Sequence, residues 1–195
     1  MLLARHASLE LTPAGQAALA AAYGEPHRAY HDAAHIAALL RWFDVIEHEV
    51  GWDDPGSVYL AILFHDAVYD PLAKDNEARS ADLARAHGAG ERTCALILLT
   101  ARHGALAPGD VDRDAAHFLD ADTAILGAAP AVFDAYDAAI AREYAAVPAA
   151  QFRAGRGRFL ADLRDRPRIF LSELFHGRLD AAARANLTRA AAAYA

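Results

Sequence analysis

A single cysteine, Cys94, in 195 residues leaves no internal disulfide to be made. It adjoins the apolar run Ala95-Leu96-Ile97-Leu98-Leu99, so it is expected in the core of a protein kept in a reducing compartment. Basic residues do not dominate either, with 19 Lys and Arg against 26 Asp and Glu. The formal net charge of −7 argues against a nucleic-acid polymer as partner and against a polybasic membrane binder. No apolar stretch approaches the roughly 18 residues of a spanning helix, and no basic segment leads into a sustained apolar one at the start, so a cytoplasmic protein is expected. There is no Gly-rich phosphate loop, no base-stacking motif and no obvious internal repeat. Val, Ile and Thr clusters are few, which disfavours strands.

What is present is Ala, Leu and Arg in long runs, with 55% hydrophobic residues overall, enough for one helical core. The spacing predicts an all-α fold in a single domain over 1–195. Thr12-Pro13 opens a helix that runs to Ala22. Ile36, Leu39, Leu40, Phe43 and Ile46 recur at helical steps, predicting a helix over 31–50 with His31 and His35 on one face. Asp54-Pro55 opens a segment apolar on every side that ends in His65-Asp66. Further helices are predicted from Asp75 or Asn76 toward His87, over 91–102, over 112–126 with Gly127 closing it, from Pro130, from Pro148, and from Asp180 to the end.

Polar residues standing where the pattern calls for apolar ones carry the chemistry. His65, Asp66, Asp120 and Asp122 enter apolar stretches, and a buried carboxylate is very costly without a partner. A divalent cation supplies one, since imidazole and carboxylate together suit Mn, Co, Ni, Zn or Fe, or Mg with more oxygen ligands. His31, His35 and His103 are further candidates to turn inward. The bland alternative for Asp120 and Asp122 is an ion-pair network with Arg102 or Arg113. His6, His27, His48, His87, His117 and His176 read as ordinary surface or core histidines. The run Arg153 to Arg158 reads as a solvated basic face, and the aromatics at 133, 136, 144, 152 and 159 as core.

The order His35, His65-Asp66, Asp122 resembles the H…HD…D signature of the HD superfamily of metal-dependent phosphohydrolases. Longer blocks are similar to one group of small bacterial HD phosphohydrolases. These are Arg28 to His35, Phe64 to Asp70, Asn76-Glu77 and Phe118 to Gly127, followed by Arg142-Glu143-Tyr144, Gly155-Arg156 and Ala183 to Leu187. The resemblance implies an HD-type helical bundle holding a divalent metal through His35, His65, Asp66 and Asp122, with Asp120 as rival for the last place or as a hydrogen-bond partner of a ligand histidine. It implies hydrolysis of a phosphomonoester or phosphoanhydride of a small molecule such as a nucleotide. Asp66, Asp70 or Glu77 would take the water's proton, and Arg28, Arg79 or Lys74 would neutralise phosphate. His31 would contact phosphate, and His103 either substrate or a second metal. An HD-fold di-iron oxygenase and a non-catalytic metal- or nucleotide-binding regulator are the alternatives. A homodimer is expected slightly over a monomer.

Overall fold

Capping residues and prolines set where the helices begin. In the computed structural model, which describes residues 11–194, Thr12 Oγ1 accepts the Gly15 N–H at 3.1 Å and Pro13 starts α1 (Pro13–Ala22). Asp32 Oδ1 accepts the Ala34 N–H at 2.7 Å and opens α2 (Ala33–Glu49). This cap falls after His31, so His31 precedes the helix instead of riding its face as the periodicity predicts. Asp54 caps α3 (Pro55–Phe64), and Asp112 caps α6 (Arg113–Thr123), each accepting the N–H three residues on.

Between them lie α4 (Asn76–Ala86) and α5 (Glu91–Thr100), and beyond them α7 (Pro130–Glu143), α8 (Ala149–Asp165) and α9 (Glu173–Tyr194). No strand occurs among the described residues, so the fold is all-α. Three boundaries differ from the sequence reading. His103–Ala105 tightens into a 3-10 turn instead of following directly on α5, Ala124–Gly127 forms another at the end of α6, and α9 starts at Glu173 rather than near Asp180. The first two are helix ends that sacrifice α geometry to turn the chain.

The central element is α3. Val58, Ala61, Ile62 and Phe64 are entirely shielded from solvent, as its uniform apolarity predicts. It packs against α2, α4, α5 and α6, and the hydrophobic cluster continues without a break to Leu187 and Ala190 of α9. Cys94 is part of this core. Truncating a side chain such as Phe64 to Ala would cost about 3–5 kcal/mol.

Two buried carboxylates hold loops to this core through backbone N–H groups rather than through arginines. Asp114 accepts from Asp53 N and Asp54 N, fixing the start of α3. Asp120 accepts from Leu171 N and Ser172 N, both at 2.7 Å, fixing the approach to α9. Neither Asp120 nor Asp122 is paired with Arg102 or Arg113; Arg113 pairs with Asp53. No single described helix is long and apolar enough to cross a membrane; α6 with its 3-10 extension and α7 pass such a test only jointly, and they meet at 104°.

The turn at Gly127 lies directly on α9: a Cβ there would stand 2.6 Å from Leu179 Cβ and 3.0 Å from the Leu179 carbonyl oxygen. We expect Gly127→Ala to destabilise the fold by about 1–3 kcal/mol through overpacking. Gly177→Ala, in α9 with open space around it, should instead stabilise by up to about 1 kcal/mol. Urea denaturation of both variants checks the contrast.

Candidate metal centre

Three helices bring the cluster together. His35 comes from the first turn of α2, His65 and Asp66 from the end of α3, and Asp122 from the last turn of α6. One ligand atom from each lies within 4.8 Å of all the others. The two imidazole Nε2 atoms face each other at 3.2 Å. His35 Nε2 stands 3.1 Å from Asp122 Oδ1 and 3.6 Å from Asp66 Oδ2, and His65 Nε2 stands 3.0 Å from Asp66 Oδ2 and 3.4 Å from Asp122 Oδ1.

These separations match a chelate. Ligands about 2.0–2.1 Å from a tetrahedral cation sit about 3.3–3.4 Å from one another. His65 Nδ1 donates to the Ile62 carbonyl at 3.0 Å, which leaves Nε2 as the nitrogen with a free lone pair. The histidine side chains are 2% and 1% exposed and the carboxylates 20% and 21%, so the group is closed on its imidazole side and open on its carboxylate side. This buried group could hold a metal ion.

Charge inside the group is mutually supported. Burial disfavours the charged form of His65, but Asp66 and Asp122 outweigh it and raise its pKa well above the usual imidazole range. Burial likewise disfavours ionised Asp66 and Asp122, and His65 beside them overrides this and lowers both. Asp122 belongs to the four-residue group and Asp120 does not. Asp120, engaged by the Leu171 and Ser172 amides rather than by a ligand histidine, has its pKa pushed up to about 6 by burial despite those donors.

No family model, curated protein or solved structure matches the chain. The reading of the site rests on its own residues.

A cavity of about 740 Å³ opens beside the cluster, with His31, Asp66 and Asp122 at one end. Lys74, Asn76 and Glu77 line it, as do the rings of Tyr136, Tyr144, Phe152 and Phe159. Thus the aromatics of α7 and α8, expected as core, divide: Phe133 is fully buried, whereas these four face the cavity. The expected basic face divides in the same way, because Arg153 and Arg158 are exposed and Arg156 is buried in the cavity wall.

Several expected residues stand elsewhere. The Arg28 guanidinium is fully buried and engaged by Glu25 and by the carbonyls of His31, Asp66 and Ala67, so it clamps the site's two loops together and is not offered to a phosphate. Arg79 lies exposed 4.0 Å from Asp75, outside the cavity lining. Asp70 is occupied in a turn, accepting the Leu72 N–H and exchanging two bonds with Asn76 through its backbone. His103 is buried with Nε2 unpartnered, outside both the four-residue group and the lining, and burial pushes its pKa down to about 4. Of the ordinary histidines, His117 is buried edge-on to Trp52, and His6 lies outside the described residues.

The sequence reading gave no role to Glu143, the last residue of α7. Its side chain is fully buried; Oε1 accepts the N–H groups of Ala29, Tyr30 and His31 at 2.7–3.0 Å. Oε2 accepts from His31 Nδ1 at 2.7 Å and from the Tyr69 hydroxyl at 2.8 Å. Five donors on one carboxylate fix the backbone and ring of His31 and leave Nε2 as its free nitrogen. Burial would raise the Glu143 pKa, but the hydrogen bond and charge of His31 and the backbone donors hold it well below the usual range. The signal was available: 133, 136, 140 and 143 form one inward stripe, and an acid there requires donors.

We expect Glu143→Gln to destabilise the fold by about 2–4 kcal/mol near neutral pH without loss of the metal site. A carboxyl depressed by folding stabilises above its unfolded pKa and loses that contribution as pH falls through the folded value, so the difference from the parent should shrink under acid. Equal stability of the two proteins at pH 7 would refute this. At the cluster, elemental analysis should find about one divalent cation per chain, and next to none in His65→Ala or Asp122→Ala. A cation must displace the proton that raises His65, so calorimetry should show apparent affinity climbing with pH, with proton release on binding.

Proposed function

We propose that the protein is a metal-dependent phosphohydrolase of the HD type, cleaving a phosphomonoester or phosphoanhydride of a small molecule up to the size of a nucleotide. The observation that carries this reading is the two-histidine, two-carboxylate cluster opening, carboxylates first, onto a cavity of about 740 Å³, a volume in the range of small-ligand sites. The donor set of two nitrogens and two oxygens suits Mn, Fe, Co, Ni or Zn better than Mg, which prefers oxygen and water. When bound, such an ion would lower the pKa of a coordinated water toward about 7 and polarise a phosphoryl oxygen.

The protein's own groups supply the rest. His35, His65, Asp66 and Asp122 would hold the ion and neutralise it in part. His31, locked through Nδ1, offers Nε2 to the substrate phosphate from the cluster end of the cavity. Lys74 compensates phosphate charge, and Glu77 stands in the same lining as the proton acceptor. Tyr69, held by Glu143, closes the floor beside His31, its ring stacked 4.3 Å from the imidazole. Nothing favours a di-iron oxygenase, because the cluster contains two histidines and His103 lies outside it.

Protein reconstituted with Mn, Co, Ni or Mg should release inorganic phosphate from members of a panel of phosphomonoesters and phosphoanhydrides. Asp66→Ala should abolish turnover together with metal binding, whereas Glu77→Gln should slow it about 10²-fold or more at unchanged metal content. Protein shown to carry its cation yet inert toward the whole panel would sink the hydrolase reading. Equal metal loss in both variants would remove Glu77 from a purely catalytic role.

A further inference from the structure

The cavity has a second polar pole besides the cluster, on α8. Arg156 is 8% exposed and lines the cavity from the middle of α8. Its Nε donates to Asp137 Oδ1 at 2.9 Å, and Asp137 is in turn fixed by the Tyr194 hydroxyl at 2.7 Å. The guanidinium lies 5.1 Å from the Tyr136 ring centre and 5.2 Å from that of Phe159, so two aromatic faces hold it. Nη2 is buried and has no hydrogen-bond partner. A buried donor without a partner is rare enough to need an explanation, and a guanidinium immobilised on one edge while a terminal nitrogen stays free is prepared to receive an oxyanion.

Position defines what it would receive. Tyr136, beneath Arg156, packs 4.6 Å from Tyr30, and Tyr30 packs 4.8 Å from His35, so a short run of rings separates this pole from the cluster. The lining shared by Arg156 and the cluster includes the apolar or aromatic side chains of Ile140, Tyr144, Val147 and Phe152. We propose that Arg156 determines specificity by binding a second oxyanion, carboxylate or phosphate, on a substrate whose apolar body spans from it to the phosphate held at the cluster. This inference rests on the hydrolase reading for the first phosphate and adds the substrate class: a bis-anion, with a flat or apolar middle.

The test compares phenyl phosphate, 4-carboxyphenyl phosphate and 1,4-phenylene bisphosphate as substrates of the metal-loaded full chain, parent and Arg156→Met. The parent should favour one or both bis-anions over phenyl phosphate by about 10- to 100-fold in kcat/KM, the worth of a hydrogen bond to a charged group, and mainly through KM. Which of the two is preferred distinguishes carboxylate from phosphate. Arg156→Met should lose that preference, its kcat/KM falling by a larger factor on the bis-anions than on phenyl phosphate. Should Arg156→Met fail to fold, Arg156→Lys, which keeps the charge and loses the fork, must reduce the preference.

A merely structural Arg156 would depress all three substrates alike, and that result overturns the proposal, as does a parent indifferent to the second anion. Calorimetry with phenylphosphonate and 4-carboxyphenylphosphonate, in which a carbon–phosphorus bond replaces the hydrolysable ester, separates the two readings. An Arg156-dependent preference in binding without turnover of any ester would leave the anion site standing and remove the hydrolase. Turnover with no such preference would do the reverse.

Discussion

Two imidazoles buried from solvent and two carboxylates at the mouth of a cavity share one small space, and the interior tolerates them because groups of opposite charge preference stand side by side. Singly, each would be expelled or neutralised, since desolvation of one ion in such a setting costs several kcal/mol. Together they form a mutually dependent group: Asp66 and Asp122 favour the protonated form of His65, and His65 favours their ionised forms. A divalent cation can take over the role of that proton. The arrangement of α2, α3 and α6 is best understood as the frame that brings these four side chains within reach of one another.

That frame is set at helix ends. His65 is the residue that terminates α3, Asp66 follows it, His35 lies in the first turn of α2, and Asp122 lies in the last turn of α6. Helix termini suit this purpose because their backbone leaves groups free to turn, and the loops beside them can be fixed from a distance. Three buried groups do the fixing here: Asp114 holds the start of α3, Asp120 the approach to α9, and Arg28 the turn after His65. Each satisfies backbone groups that would otherwise be stranded, so the polar residues outside the cluster serve the geometry of the residues within it.

The helical pattern was legible because apolar periodicity and caps are local signals, and Thr12-Pro13, Asp54-Pro55 and Pro130 mark helix starts that the structure reproduces. His65 and Asp66 were legible because a His-Asp doublet ends an all-apolar segment, whereas His35 and the choice of Asp122 over Asp120 came from the resemblance to the H…HD…D order. What escaped depended on partners far away in sequence. Arg28 offered a cation near His31, and only its contacts with Asp66 and Ala67 show that it is engaged. Arg156 sat among neighbouring arginines that are exposed, and only the stripe formed with Phe152, Leu160 and Leu163 placed it inward. Glu143 lay more than a hundred positions from the amides it receives.

Glu143 closes α7, and α7 carries Tyr136 and Ile140 of the cavity wall. The same carboxylate grips the chain at 29–31 and the hydroxyl of Tyr69. Wall and floor are therefore linked through one side chain. The gap between them is set at Glu143, as the pivot of a calliper sets the opening of its jaws.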